Sequence, residues 1–112
     1  MNVGIDLVLI SRFKKIPYLE NESFYKKKFS QDEIQYCLKY NEPYKHFAGK
    51  FAIKEATIKS IEKKIELSDI VTYYENDKPC VKISKENLNF KVSMSHDGDY
   101  AIAIVISYKN KF

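Results

Sequence analysis

The stretch from His46 to Ile61 constrains this chain more than any other. At roughly 100° per residue, Phe47, Phe51, Ile58, Ile61 and Ile65 fall on one narrow stripe, which reads as the core-facing side of a long helix. Glu55 and Lys59 stand beside that stripe, one turn apart, in the sector shared by Ala48 and Ala52. A carboxylate and an ammonium over a floor of such small side chains leave room for a ligand. Taken alone, the helix is better read as carrying a solvated i,i+4 pair worth about 0.2–0.5 kcal/mol. Other parts of the chain have to decide.

Ahead of this helix, Asn2 to Ile10 is rich in Val, Ile and Leu and alternates loosely, predicting a strand with Val3, Ile5, Leu7 and Leu9 on one side. Asp6 then points the other way, with Gly4, Val8 and Ile10. Aspartate is depleted in strand interiors, and a carboxylate among such neighbours needs a cation or several donors to stay charged. A strand end or a loop contact explains Asp6 equally well at this point. Ser11 can cap a short basic helix to Ile16, which Pro17 ends, with Arg12, Lys14 and Lys15 exposed. Glu20 to Phe29 predicts a second helical stretch finishing on Lys26-Lys27-Lys28, where cations suit a helix C-terminus and a solvated basic face is the ordinary meaning. Ser30-Gln-Asp-Glu33 is a capping-box pattern that opens a helix to about Tyr40. Asn41-Glu-Pro43 breaks it and starts the long helix.

After Ile65 the pattern changes. Asp69–Tyr74, Cys80–Ile83, Phe90–Ser95 and Tyr100–Tyr108 read as strands, with turns at Asn76-Asp-Lys-Pro79 and Asp97-Gly-Asp99. Ala101 to Ile106 is apolar on both sides, as a central strand should be. The order is α+β: one N-terminal strand, three to four helices, then an antiparallel set of about four strands, in one domain of 112 residues.

No uncharged apolar run is long enough to span a bilayer, and the first residues carry Asp6 where a secretory leader would not. A cytoplasmic location is therefore expected. Cys37 and Cys80 stand apart with no ligand-spaced neighbour, which suggests neither a zinc site nor a disulfide framework. A net charge of +4 favours an anionic partner. Of the 19 basic residues only Arg12 is an arginine, so lysines stand where a bidentate grip on phosphate would use arginine.

Three patches carry chemistry: Asp6, the helix from Lys50 to Lys59, and Ser93-Met-Ser-His-Asp97 at the end of a late strand. Together they supply two carboxylates, several cations, hydroxyls and an imidazole. Mg²⁺ takes one or two carboxylates and completes its shell with phosphate oxygens and water, so Asp6 and Glu55 fit in type. Ser95, His96 and Asp97 cannot form a nucleophilic relay among themselves, because adjacent strand residues point to alternate faces. His46 reads as a surface or capping residue.

The motifs in order, Gly4-Ile-Asp-Leu-Val8 with Arg12-Phe13, Phe47-Ala-Gly-Lys-Phe-Ala-Ile-Lys-Glu-Ala56 with Lys59, Asp69-Ile70, Lys78-Pro79 and Val92-Ser-Met-Ser-His96, resemble the holo-acyl-carrier-protein synthase family. These are the small 4′-phosphopantetheinyl transferases, and the resemblance runs from about Val3 to Ile106. It implies that coenzyme A donates its phosphopantetheine arm to a serine of an apo acyl carrier protein in fatty acid biosynthesis, releasing adenosine 3′,5′-bisphosphate. It implies Asp6 and Glu55 as ligands of one Mg²⁺, and catalytic work for Asp6, Glu55 and Lys59. Lys59 would contact the pyrophosphate of coenzyme A. Lys50, Ser95 and His96 would lie on the nucleotide side, Lys50 where the family often has arginine. Arg12 and Lys15 on the basic first helix would dock the acidic carrier. Glu55, Asp6 or a water on the metal could each take the serine proton. A homotrimer with active sites between subunits is implied as well.

Two departures stand out. Lys59-Ser-Ile-Glu62 lacks the family's glycine stop, so the helix is expected to run to about Lys64, and Asp77-Lys78-Pro79 lacks the hairpin glycine. The rival from another class is a small basic nucleic-acid-binding domain, in which nine Tyr and seven Phe would stack bases. Its lysines are scattered among acids, and its binding would survive loss of Asp6 or Glu55.

Overall fold

The structure, a computed structural model, describes residues 1–84 and 87–109. Strand β1 (Asn2–Leu9) is followed by helices α1 (Ser11–Lys14), α2 (Glu22–Lys26), α3 (Gln31–Leu38) and α4 (Pro43–Ser60). Then come β2 (Ile70–Glu75), β3 (Lys78–Ile83), β4 (Leu88–Asp97) and β5 (Tyr100–Lys109). The α+β reading holds, with a refinement. β5 lies between β1 and β4 in an antiparallel sheet, while β2 and β3 form a separate antiparallel ribbon. With both edges of β5 taken, the ribbon lies alongside β4 without joining its ladder.

Helix α4 crosses the inner face of the sheet and is the core of the molecule. Every residue from Phe47 to Lys54 is buried. The narrow apolar stripe is therefore an underestimate: Ile58, Ile61 and Ile65 are only partly covered, whereas Ile53 and Ala56 are fully enclosed. β1 and β5 pack on one side of α4, and α1, α3 and β2 pack on the others. Small residues permit this. A Cβ on Gly4 would stand 1.9 Å from the Ala56 carbonyl oxygen, so β1 rests directly on helix backbone.

The helix ends at Ser60, short of the expected Lys64. Ile61 is already extended (φ −121°, ψ 150°). Side-chain hydroxyls do the work of the missing glycine: Ser107 Oγ donates to the Ser60 carbonyl at 2.7 Å, and Ser60 Oγ donates to Thr57 at 2.8 Å. At the hairpin, Asn76 (φ 52°) and Asp77 (φ 63°) both take the left-handed conformation of a two-residue I′ turn, which Asn and Asp tolerate.

The capping box at Ser30 and Glu33 forms as predicted. Ser11 does not cap α1; Ile10 occupies the cap with no side-chain bond, and its N–H donates to the Asp99 carbonyl at 2.8 Å. The expected Glu20–Phe29 helix splits into a 3₁₀ turn at Tyr18–Glu20 and the short α2. An aromatic cluster holds these pieces on α4: Tyr25 meets Phe47 at 4.6 Å and Phe13 meets Phe51 at 5.6 Å between ring centroids. Tyr25 Oη also donates to the Ile16 carbonyl at 2.6 Å, fixing the end of the α1 region.

Candidate active site

Resting β1 on α4 brings two distant acids together. Asp6 lies two residues past Gly4, and Glu55 one residue before the Ala56 that Gly4 touches. The i,i+4 pairing of Glu55 with Lys59 is not what forms. Lys59 instead crosses to β1, its Nζ 3.0 Å from Asp6 Oδ1 and 3.0 Å from the Ile5 carbonyl. Asp6 is the more covered partner, its side chain 15% exposed against 54% for Lys59. Burial raises the pKa of Glu55, and the negative charge of Asp6 raises it further; Lys59, Arg12 and Lys28 only partly offset this.

This donor set suits a hard divalent cation. Two carboxylates are present, and among the described residues no group of three His, Cys, Asp or Glu side chains gathers to enclose a metal. A cation held here would take its remaining ligands from water and from substrate oxygens, as Mg²⁺ commonly does.

The other expected site residues are spread around this centre. Lys50 lies on the far side of α4, roughly 140° from Glu55, and is buried rather than free to grip a phosphate. Its Nζ donates to Thr72 Oγ1 at 3.1 Å and sits 4.6 Å from the Tyr36 ring and 5.2 Å from the Tyr74 ring. It lines a cavity of about 500 Å³ between α3 and the ribbon. Burial lowers its pKa.

On β4, paired residues fix the facing. His96, opposite Ala101, points inward, and its Nε2 lies 3.2 Å from the Lys45 carbonyl. Burial lowers the pKa of this imidazole. Ser95, opposite Ile102, points outward, away from Asp6. His46 is a half-buried ring stacked on Tyr40 at 3.8 Å. On α1, the Arg12 guanidinium stands 5.8 Å from the Phe51 ring, one turn before Glu55, and Lys15 is exposed. One chain therefore gathers Asp6, Glu55, Lys59 and Arg12, and leaves Lys50, Ser95 and His96 apart from them.

Two features beneath the site were not anticipated. Lys54 and Glu33 form a fully buried ion pair at 2.7 Å. Glu33 also accepts from the Ser30 and Thr72 N–H groups and from Thr72 Oγ1, while Lys54 also donates to the Lys28 carbonyl at 2.7 Å. The capping box revealed only the local half of this network. Lys28 is the second, a half-buried cation whose charge reaches Glu55.

Residues 2–105 match the family model described as the 4′-phosphopantetheinyl transferase superfamily. A holo-[acyl-carrier-protein] synthase of Thermodesulfovibrio yellowstonii is 38% identical over 107 residues, covering 93% of this chain and 95% of that protein. One from Ehrlichia ruminantium is 40% identical over 119 residues, with 97% of each covered. Among solved structures, Helicobacter pylori holo-[acyl-carrier-protein] synthase in complex with coenzyme A superposes with a TM-score of 0.81 at 31% identity, covering 95% of this chain and 99% of that one.

Proposed function

This chain belongs to the 4′-phosphopantetheinyl transferase superfamily, and from that premise we propose how it works. It is a holo-acyl-carrier-protein synthase. It moves the 4′-phosphopantetheine group of coenzyme A to a serine of an apo acyl carrier protein, as its relatives' names and the coenzyme A complex of the Helicobacter pylori protein support. The serine oxygen forms a new bond to the β-phosphorus of the coenzyme A diphosphate. The bond from that phosphorus to the bridging oxygen breaks, and adenosine 3′,5′-bisphosphate leaves.

The observation that carries the mechanism is the meeting of Asp6 with Glu55 under Lys59. We assign both carboxylates to one Mg²⁺, which when bound would neutralise diphosphate charge and align it for displacement. Lys59, more than half exposed, can turn from Asp6 to the bridging oxygen and stabilise charge that grows there as the bond breaks. Transfer of this kind depends on in-line placement and charge neutralisation more than on covalent help. The serine proton leaves to a carboxylate oxygen of the pair or to water beside it.

We place the nucleotide end against Ser95 and His96 and the carrier on Arg12 and Lys15. Lys50, behind Thr72 and two tyrosines, contributes charge rather than a direct grip. Since Ser95 faces outward and Asp6 inward, one chain does not present all these groups to one ligand. A homotrimer with sites between subunits answers this, and the outer sheet face supports it: Val3, Ile5 and Leu7 are 59%, 54% and 59% exposed, with Ile102 and Ile104 beside them. Such an apolar patch is unusual for a surface left bare. The whole chain, 1–112, acts as one transferase domain, and its free Cys37 and Cys80 suit the cytoplasm. No described helix is long and apolar enough to cross a membrane.

The test is to mix the protein with Mg²⁺, coenzyme A and apo acyl carrier proteins and follow the carrier's mass. Gain of the phosphopantetheine arm is expected. No gain with several carriers would overturn the assignment.

A further inference from the structure

Lys50, Lys54 and Glu33 form a buried cluster in which one carboxylate serves two ammoniums. Lys54 takes Glu33 Oε1 at 2.7 Å. Among the described residues no carboxylate lies within 4.0 Å of Lys50. Its Nζ donates instead to Thr72 Oγ1 at 3.1 Å, beside the rings of Tyr36 and Tyr74. The Thr72 hydroxyl has a single proton, and that proton goes to Glu33 Oε2 at 2.6 Å. The lone pairs of the hydroxyl oxygen are thereby left to Lys50. Glu33 Oε2 also accepts from the Thr72 N–H at 2.8 Å, so one oxygen fixes both the backbone and the side chain of Thr72. Donation runs one way, from Lys50 to Thr72 and from Thr72 to Glu33.

A lysine gives up its charge readily when buried, so this arrangement matters to what Lys50 can do. Burial lowers its pKa, and the charge of Glu33 works against that. The ammonium also lies near the residues assigned to the nucleotide. A Cβ on Gly49 would stand 3.3 Å from His96 Nε2, so the imidazole rests on α4 one residue before Lys50. The His46 ring, one turn earlier, feels both: its pKa is lowered by burial, then by His96, Lys45 and Lys50. A buried cluster with one cation in excess suits a ligand that brings negative charge, and the nucleotide end of coenzyme A carries phosphate.

We propose that Thr72 is a positioning residue for the donor substrate: oriented by Glu33, its hydroxyl holds the Lys50 ammonium where that charge acts on the nucleotide end of coenzyme A. Thr72 does this from behind Lys50, without touching the substrate. The inference rests on the transferase reading above.

The experiment measures binding of adenosine 3′,5′-bisphosphate by isothermal titration calorimetry, and initial rates with coenzyme A and apo carrier varied separately. It compares the wild-type protein with Thr72→Val, Thr72→Ala, Thr72→Ser, Lys50→Met and the double variant Thr72→Val with Lys50→Met, and circular dichroism checks folding. Thr72→Val keeps the shape of the side chain and loses the hydroxyl. It should weaken nucleotide binding and raise KM for coenzyme A by roughly 5- to 10-fold, while kcat and the carrier KM stay put. Thr72→Ala should do the same, and Thr72→Ser, which keeps the hydroxyl, should restore both values. Once Lys50→Met has removed the ammonium, Thr72→Val should add nothing. Nucleotide binding at the wild-type level in Thr72→Val and Thr72→Ala would overturn the proposal. So would an effect that persists in full without Lys50, or one that Thr72→Ser shares, since either reduces Thr72 to a packing residue. Should the wild-type protein bind the nucleotide but transfer nothing, the transferase reading falls, while weaker nucleotide binding by Thr72→Val still upholds the positioning role.

Discussion

Among the described residues the least solvent-exposed charges, Lys54 and Glu33, lie under the site rather than in it. Burial alone would push Glu33 up, but its hydrogen bonds and the charge of Lys54 outweigh that and hold its pKa below the ordinary value. Because the folded value lies below the unfolded one, the stabilisation is complete above about pH 4.3 and is lost as pH falls through the folded pKa. Lys54→Ala strands a buried carboxylate. Chemical denaturation at pH 7 should show a loss of about 3–5 kcal/mol. The deficit should shrink in acid, where Glu33 is protonated in either protein. A variant as stable as wild type would mean that Glu33 finds other donors or water.

At the scale of elements, everything at the site depends on how closely β1 lies on α4. Gly4→Ala would drive a Cβ into the Ala56 carbonyl and the Ser60 N–H, both backbone groups that cannot turn away. The strand must lift, and Asp6 with it. Stability should fall by about 1–3 kcal/mol or more, and transfer should fall further than stability explains, as seen by comparing melting with kcat below the transition. Full activity would show that the acids tolerate separation. Local signals made these elements legible: alternation in β1, the Ser30 capping box, and the apolar and alanine pattern of α4. Less legible was what depends on distant partners. The more apolar side of β1, carrying Val3, Ile5 and Leu7, is the exposed one, because Gly4 gives the Asp6 side to α4. The end of α4 at Ser60 depends on Ser107, forty-seven residues on. The burial of Lys50 and Lys54 was not legible, since nothing local shows that α3 and β2 close over them. The acid pair was legible only through the family's motif, because the spacing between Asp6 and Glu55 carries no signal of contact.

For the whole molecule, the proposed assembly turns on the outer face of the sheet, where Val3, Ile5, Leu7, Ile102 and Ile104 are exposed. If copies of the chain meet there, Ile5→Lys or Ile104→Lys should turn the assembly into monomers in analytical ultracentrifugation while the helical signal in circular dichroism persists. Transfer should then drop sharply if Ser95 serves a neighbour's acid pair. An unchanged sedimentation profile would leave this face to another use. The central claim is that two acids, one from each end of the β1–α4 contact, hold a single cation against the diphosphate of coenzyme A. Titrating Mn²⁺ into the protein with coenzyme A, followed by electron paramagnetic resonance, tests it most directly. One tight cation per site is expected, lost in both Asp6→Asn and Glu55→Gln. Retention of that cation when either carboxylate is removed would contradict the account.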